Sequence, residues 1–228
     1  MGHSVDQQLL YIAERLFIDD SEVQRNPKQN LGGWVSGGDI KYKNLPDVNG
    51  NYDNVIDSND RQYTGMPTTP EIVYGFGPSF RYKKFDFSFF FQGAARVSIM
   101  MNGIHPFGAE GIRNVLQFIA DDYWSETNQN IYAEYPRLST VAYANNAQVS
   151  DFWKRNGAYV RLKNVTLGYT LPQSWVKKSG ISNLRLFASG HNLFTLTEFK
   201  YLDPESANVI QGYYPQQRTF TFGVDVTF

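Results

Sequence analysis

The sequence predicts an all-β chain made of long antiparallel strands that each have one apolar and one polar face. Residues 217–228 show the pattern best, because an apolar side chain stands at every second position from Phe220 to the terminal Phe228. Side chains of a strand point alternately to its two faces, so one face must meet apolar material and the other water or polar groups. An aromatic content of 16%, mostly Phe and Tyr, suits sheets and membrane interfaces. Strands of a transmembrane β-barrel and of a soluble β-sandwich both fit this description.

Composition excludes several classes of protein. The 228 residues include 42% hydrophobic residues, which suffice for one large β domain or two small ones. The 21 basic and 22 acidic residues nearly cancel, so the chain has no excess of basic charge for nucleic acid. The lack of cysteine excludes disulfides, thiol catalysis and thiolate metal sites. No segment approaches the roughly 18 apolar residues that a transmembrane helix needs.

Hydrophobic alternation predicts the individual strands. In residues 158–172 the alternation slips by one position, and a β-bulge near Lys163 and Asn164 would restore it. A sixth strand can lie within residues 5–17, although LLYIAERLF fits a helix equally well. The five segments with the clearest strand pattern are 71–82, 84–98, 158–172, 184–197 and 217–228.

The connections between these strands are alternately long and short. Residues 18–70 and 99–157 are long, whereas the turn at 83–84 is very short. Outer-membrane barrels combine short periplasmic turns with long extracellular loops, and a sandwich has no reason to keep this asymmetry. The pattern therefore favours a barrel whose last strand runs inward. Within the second long loop, the apolar spacing of residues 109–124 predicts a short helix.

Six phrases together resemble the C-terminal part of the SusC/RagA family of TonB-dependent outer-membrane transporters of Bacteroidetes. They occur in the order in which the family has them and cover nearly the whole chain. The phrases are GGDIKYKNL (37–45), NVIDSNDR (54–61), YGFGPSFRYKKFDFSFFFQG (74–93), YVRLKNVTLGYTLP (159–172), HNLFTLTEFKYLDPE (191–205) and YYPQQRTFTFGVDVTF (213–228).

The resemblance implies a 22-stranded antiparallel transmembrane barrel, of which this chain would supply about the last six strands, with long extracellular loops and one short loop helix. Residues 1–70 would hold a strand and a long loop, 71–98 a β-hairpin, 99–157 a long extracellular loop and 158–228 the last three strands. The family's plug and TonB box are absent from this sequence, and its start lacks a signal-peptide pattern. We therefore expect a C-terminal piece of a longer transporter.

The resemblance also implies a function, a location and partners. The location would be the bacterial outer membrane, and the cargo would be glycans or oligopeptides. The expected partners are a SusD-like surface lipoprotein, TonB through the part of the receptor absent here, outer-membrane lipid and the barrel-assembly machinery. Phe228 would be the terminal aromatic that this machinery recognises. The alternative is a soluble or secreted β-sandwich that binds carbohydrate, and no catalytic constellation in the sequence indicates an enzyme.

An Asx-rich stretch, residues 47–60, has oxygen ligands at the spacing of a calcium loop. Aligned on Asn49 as the first position, it places Asn54 where the loop usually has Gly. We expect a calcium site here or, alternatively, a solvated Asx-rich turn. The side chains that would bind Ca²⁺ are Asn49, Asn51, Asp53, Asp57 and Asp60.

The second long loop contains candidates for substrate binding. Aromatic faces can stack on sugar rings, and a guanidinium group can bind carboxylates or carbonyls with two hydrogen bonds. The alternative is that these side chains form the small core that a loop of nearly 60 residues needs. The four candidates are Tyr123, Trp124, Arg137 and Trp153.

Overall fold

The computed structural model describes residues 2–4, 6–101, 116–139, 144–206 and 216–228. The chain forms two compact units, each made of two separate segments. The loop unit comprises Met1–Thr68 and Ile99–Arg155, and the sheet unit comprises Thr69–Ser98 and Asn156–Phe228. The two long connections predicted from the sequence therefore fold together as one unit.

Strands dominate the described residues. Three short α-helices occur among them: α1 (Asp20–Arg25), α2 (Gln117–Asp121) and α3 (Gln173–Val176). The strands are β1 (Leu9–Tyr11), β2 (Ala13–Leu16), β3 (Lys28–Gln29), β4 (Ile40–Tyr42), β5 (Val55–Ile56), β6 (Arg61–Tyr63), β7 (Ile72–Phe76), β8 (Ser79–Tyr82), β9 (Phe85–Ala95), β10 (Ser98–Met100), β11 (Lys154–Asn156), β12 (Tyr159–Thr170), β13 (Asn183–Thr197) and β14 (Thr219–Thr227). Within this part of the chain, no helix is both long and apolar enough to cross a membrane.

The sheet unit is one antiparallel sheet with the strand order β14, β13, β12, β9 and β7, and β8 also pairs with β9. The five predicted strand segments all belong to it, which confirms the all-β fold class. The sheet is open among the described residues, because β14 and β7 lie at its opposite edges. The predicted bulge is confirmed, since the register of β12 with both neighbours shifts between Leu162 and Asn164.

Two predicted strands are shorter than the alternation indicated. The segment 71–82 divides at Gly77 and Pro78, because proline has no N–H to donate to a neighbouring strand. A side chain at Gly77 would also meet the carbonyl oxygen of Phe89 at 2.5 Å. The segment 84–98 ends at Ala95, because Arg96 has a φ of 53°, which turns the chain out of the extended conformation.

The loop unit has short strands and a closed core. Its sheets are two-stranded: β1 pairs with β6, β2 with β4, β3 with β5, and β10 with β11. The core consists of large side chains from both segments of the unit, and those that are fully or almost fully buried include Leu10, Leu16, Phe17, Ile40, Tyr42, Ile56, Met101, Ile119, Tyr135 and Trp153.

Two predicted elements of the loop unit are shorter than expected. The segment 5–17 is extended, not helical: it holds two short strands, β1 and β2, which pair with β6 and β4 of the loop unit. These strands are too short to show an alternation over several positions. The helix predicted over 109–124 is observed only as α2, and residues 109–115 lie outside the described part of the chain.

Candidate functional site

A buried ion pair lies at the centre of the loop unit. The Asp39 side chain is fully buried, and it accepts two hydrogen bonds from the Arg137 guanidinium, at 2.7 Å from Nε and 3.1 Å from Nη2. The same carboxylate accepts the Ser36 N–H at 2.8 Å and the Asn146 side-chain amide at 2.8 Å. These bonds compensate the desolvation of the buried charge. Arg137, a predicted substrate ligand, therefore already has an intramolecular partner.

Two adjacent asparagines join the halves of the loop unit. Asn145 and Asn146 are fully buried, and their amides hydrogen bond to the backbone carbonyl and N–H of Ile40 at 2.9 Å each. Asn145 also accepts a bond from the Gln29 amide at 2.6 Å. These amides satisfy backbone groups that short strands leave unpaired. Sequence reasoning missed both residues, since the only signal is an Asn-Asn pair in a long loop.

The tryptophans predicted to bind substrate lie inside the unit. Trp153 is fully buried, packs edge-on against Tyr135 with ring centroids 5.6 Å apart, and donates its indole N–H to the Asn146 carbonyl at 2.9 Å. The Trp124 ring covers Gly38, whose φ of +80° and lack of a side chain allow the ring to approach. Tyr123 is half-buried. The two tryptophans thus pack inside the unit, as the alternative described, and substrate binding by the four candidates stays a prediction.

Trp34, which sequence reasoning did not select, is exposed, unlike the buried Trp124 and Trp153. Its side chain is 66% exposed, and the Arg137 guanidinium carbon lies 6.0 Å from the centre of the ring. The ring borders a cleft of about 330 Å³ that is also lined by Gln24, Asn26 and Lys28. A second cleft, of about 460 Å³, lies among acidic and amide side chains, namely Asp19, Asp20, Glu126 and Gln129.

An ion cluster holds the helix α1 in place. Glu22 accepts hydrogen bonds from the Arg15 guanidinium, from the Ile18 N–H at 2.9 Å and from the Lys41 ammonium at 3.1 Å. Burial alone would raise the pKa of this carboxyl, but the hydrogen bonds outweigh it and hold the pKa at about 2 instead of 4.5. The carboxylate form of Glu22 is therefore the one that the fold stabilises.

The Asx-rich stretch forms turns with its own backbone. Asp47 accepts the N–H groups of Asn49 and Asn51, and these bonds, that of Asn51 first, lower its pKa. Asp57 and Asp60 form a reciprocal capping box around a single 3-10 turn. Asn54 has a φ of 58°, which is the left-handed conformation. Calcium loops usually have Gly at the position to which Asn54 aligns, because Gly adopts this conformation without strain.

The predicted calcium ligands are consequently engaged elsewhere. Asp53 accepts the Val55 N–H at 2.9 Å, and Asp60 accepts the N–H groups of Leu45 and Asp57 at 2.6 and 2.7 Å. Among the residues that the structure describes, no group of three or more acidic or histidine side chains could hold a metal ion. The geometry favours the Asx-rich turn, and the calcium site stays a prediction.

The polar face of the large sheet has a row of three charges. Arg185 binds Asp86 with two hydrogen bonds, at 3.0 and 2.6 Å, and Asp225 at 2.9 Å. Gly168 lies directly opposite Asp86 in the neighbouring strand, and a side chain there would meet the carboxylate at 2.5 Å. The glycine therefore makes room for the ion pair.

A second cluster on the sheet unit fixes the segment after β13. Arg161 is almost fully buried, and it donates to Thr195 at 2.8 Å, Asp203 at 2.5 Å and Glu205 at 2.9 Å. The Lys163 ammonium, at the bulge of β12, adds a bond to Glu205 at 2.6 Å. Arg161 and Lys163 are two positions apart along β12, so both cations can reach the same acidic segment.

The opposite face of the sheet is apolar and uncovered. The rings of Phe87, Phe89 and Phe91 follow one another along this face of β9, with centroids 5.7 and 5.6 Å apart. On the same face, Phe80 and Phe222 are 57% and 81% exposed. A soluble sandwich would bury this face against a second sheet. Phe228 follows the end of β14 and is exposed, and its role in barrel assembly stays a prediction.

Comparisons with known proteins agree with this architecture. No family model matches the chain. Two TonB-dependent receptors of Formosa agariphila are 32% and 31% identical to it over 80% and 98% of the chain. The TonB-dependent receptor SusC of Bacteroides thetaiotaomicron is 29% identical over 80% of the chain. The chain spans only 18%, 24% and 17% of the length of these three receptors.

Solved structures with the same fold include the RagAB peptide transporter. The similarity covers 97% of this chain and 22% of the matched chain, with a TM-score of 0.69 and 18% sequence identity. The RagAB peptide importer in its closed-closed state gives a TM-score of 0.64 over 100% of this chain and 25% of the other, at 19% identity. At such identities the likeness demonstrates the shared fold.

Proposed function

Because this chain belongs, over the part that it spans, to the SusC/RagA family of TonB-dependent receptors, we propose that it is the C-terminal portion of an outer-membrane transporter that imports glycans. The single observation that carries this proposal is the large sheet with its two contrasting faces. One face has a row of ion pairs around Arg185, and the other exposes aromatic and aliphatic side chains. A barrel wall between lipid and an aqueous lumen needs this combination.

The edges of the sheet support the same proposal. The strands β14 and β7 each have a partner on one side among the described residues. In lipid, unpaired backbone N–H and C=O groups are too costly, so only closed barrels span a membrane with strands. We propose that both edges pair with further strands of the receptor, and that Phe228 marks the terminal strand for the assembly machinery.

The expected partners follow from the family. A SusD-like surface lipoprotein would cover the extracellular opening, and TonB would supply the energy through a part of the receptor that this chain does not contain. The loop unit would face the lipoprotein and the cargo. We propose no bond chemistry and no cofactor for this portion of the transporter.

The second candidate cargo is an oligopeptide. The solved structures that share the fold are those of a peptide transporter and a peptide importer. Glycans remain the first choice because the loop unit presents an exposed aromatic ring beside amide side chains, an arrangement that suits hydroxyl-rich rings.

Fractionation of the native bacterium tests the location and the partner. An antibody against this chain should detect a protein several times heavier than 26.1 kDa in the outer membrane, and a surface lipoprotein should copurify with it. A soluble protein of about this mass would overturn the proposal.

Deletion of the gene should abolish growth on one glycan, and disruption of TonB should give the same defect. A defect only on peptides would favour the second candidate.

A further inference from the structure

The cleft beside Trp34 has the size of a ligand site and an exposed aromatic ring in its lining. It is formed by residues of one continuous stretch, from Phe17 to Val35, and it has a volume of about 330 Å³. Sites for small ligands in proteins begin at about this size. A single exposed aromatic side chain does not by itself indicate a binding site, but an exposed aromatic ring that lines a cleft is a candidate for one.

The orientation of the Trp34 ring is set by the loop unit. Two glycines precede it, Gly32 with φ +89° and Gly33 with φ +78°, so the chain makes a turn that other residues would resist. The Arg137 guanidinium lies 6.0 Å from the ring centre, and the buried Asp39 holds this guanidinium with two hydrogen bonds. The ring therefore has beside it a cation that a buried carboxylate holds, while 66% of the Trp34 side chain remains exposed.

The chemistry of the lining favours a particular ligand. Gln24 supplies an exposed amide group, which can both donate to and accept from hydroxyls, and Asn26, whose Nδ2 donates to the Glu22 carbonyl at 2.6 Å, offers its amide oxygen. Lys28 is the one charged side chain among the described residues that line the cleft. The described lining contains no carboxylate that could pair with the ammonium group of a free peptide. A neutral or carboxylate-bearing sugar ring has no ammonium group to pair.

We infer that Trp34 is the stacking platform of a sugar-binding subsite, in which a pyranose ring of an oligosaccharide lies on the indole face and its hydroxyls contact Gln24, Asn26 and Lys28. The inference rests on the proposed function, since it gives the imported glycan a first contact on the loop unit. It assigns recognition to a residue outside the second long loop, in place of the buried Trp124 and Trp153.

Binding experiments with the intact receptor in detergent test this subsite. The probes are an array of neutral and uronate-containing oligosaccharides, with pentaalanine as a peptide probe, and the best ligand is then titrated by calorimetry. Trp34→Ala should weaken binding by about tenfold, whereas Trp34→Phe should keep part of the affinity because a smaller aromatic face remains. The matched control is Trp175→Ala, which removes another exposed tryptophan, 69% exposed, from the sheet unit and should leave binding unchanged.

Tryptophan fluorescence gives an independent readout. This chain contributes four tryptophans to the receptor, of which Trp124 and Trp153 are buried. The difference between the spectra of the wild type and Trp34→Phe gives the emission of Trp34. Saturating glycan should shift this difference to shorter wavelength, and the corresponding difference for Trp175→Phe should stay unchanged.

The outcomes separate this inference from the proposed function. Glycan binding that is equal in the wild type and in Trp34→Ala overturns the subsite alone and leaves glycan import intact. Binding of pentaalanine without binding of any glycan overturns both. Equal losses for Trp34→Ala and Trp175→Ala would indicate a general defect of folding and would also overturn the subsite.

Discussion

The loop unit and the sheet unit are stabilised in different ways. The loop unit buries large apolar side chains such as Trp153 and connects its segments through buried polar groups such as Asp39 and Asn146. The sheet unit has long ladders of backbone hydrogen bonds, and large apolar side chains such as Phe222 are exposed on it. The difference indicates that the loop unit contains its own apolar interior, whereas the sheet unit takes its apolar surroundings from outside. Five measurements test this contrast.

The largest expected effect is on the buried ion pair of the loop unit. Arg137→Ala leaves the Asp39 carboxylate buried without its main partner, which should lower the free energy of unfolding of the loop unit by roughly 3–5 kcal/mol. Chemical denaturation, monitored by hydrogen exchange, measures this free energy of unfolding. The control Arg25→Ala, at an exposed position, should change the free energy of unfolding by less than about 0.5 kcal/mol. If Asp39→Asn combined with Arg137→Met is as unstable as Arg137→Ala, the unpaired charge is not the cause.

The pH dependence of the loop unit comes next. The folded pKa of Glu22 is about 2, below the value of 4.5 expected when unfolded. A depressed carboxyl pKa contributes stability above pH 4.5 that is lost as the pH falls toward 2, and this contribution is at most about 3 kcal/mol.

Denaturation of the wild type and of Glu22→Gln across this pH range separates the contribution of Glu22. The variant should be less stable at neutral pH and should lose less stability on acidification. Parallel pH profiles for the two proteins would show that other carboxyls are responsible.

A charge on either face of β14 tests the surroundings of the sheet unit. Phe222→Arg places a cation on the apolar face and should destabilise the membrane-inserted receptor by roughly 2–4 kcal/mol. Thr221→Arg, the adjacent residue on the polar face, should have little effect. The measurement is the folded fraction recovered from outer membranes, and similar recovery for the two variants would contradict a lipid-facing role for the apolar face.

The Arg161 cluster of the sheet unit should be less sensitive than the Asp39 pair. Its acidic partners, Asp203 and Glu205, are 14% and 22% exposed, so water can solvate them when Arg161 is removed. Arg161→Ala should cost roughly 1.5–3 kcal/mol and should increase hydrogen exchange in residues 198–206. Arg96→Ala removes a more exposed ion pair, with Glu71, and serves as the control. Unchanged exchange in residues 198–206 would show that the cluster does not hold this segment.

Calcium should have the smallest effect. The carboxylates of Asp53, Asp57 and Asp60 already accept backbone N–H groups, so Ca²⁺ should leave the melting temperature of the loop unit unchanged relative to EDTA. Binding at a hundred times the dissociation constant would add about 2.7 kcal/mol. A rise of this size that Asp53→Asn abolishes would establish the calcium site.

Much of the sheet unit could be predicted from the sequence. Strand alternation is a local property, so five segments and the bulge beside Lys163 could be located without knowledge of their neighbours. The interruption at Pro78 could have been predicted as well, because proline lacks the N–H that a ladder requires. In the loop unit, the sequence indicated the Asx-rich turns at Asp47 and Asp57. These turns depend on residues only a few positions apart, as strand alternation does.

Only the tertiary structure decided which residues of the loop unit are buried. Asp39 and Arg137 are 98 positions apart, and Gln29 and Asn145 are 116 apart, so no short-range pattern relates them. The same applies to the aromatic residues: composition cannot distinguish Trp153 in the core from Trp34 beside a cleft. Strand alternation depends on neighbouring residues, whereas burial depends on long-range contacts that exist only when the chain has folded.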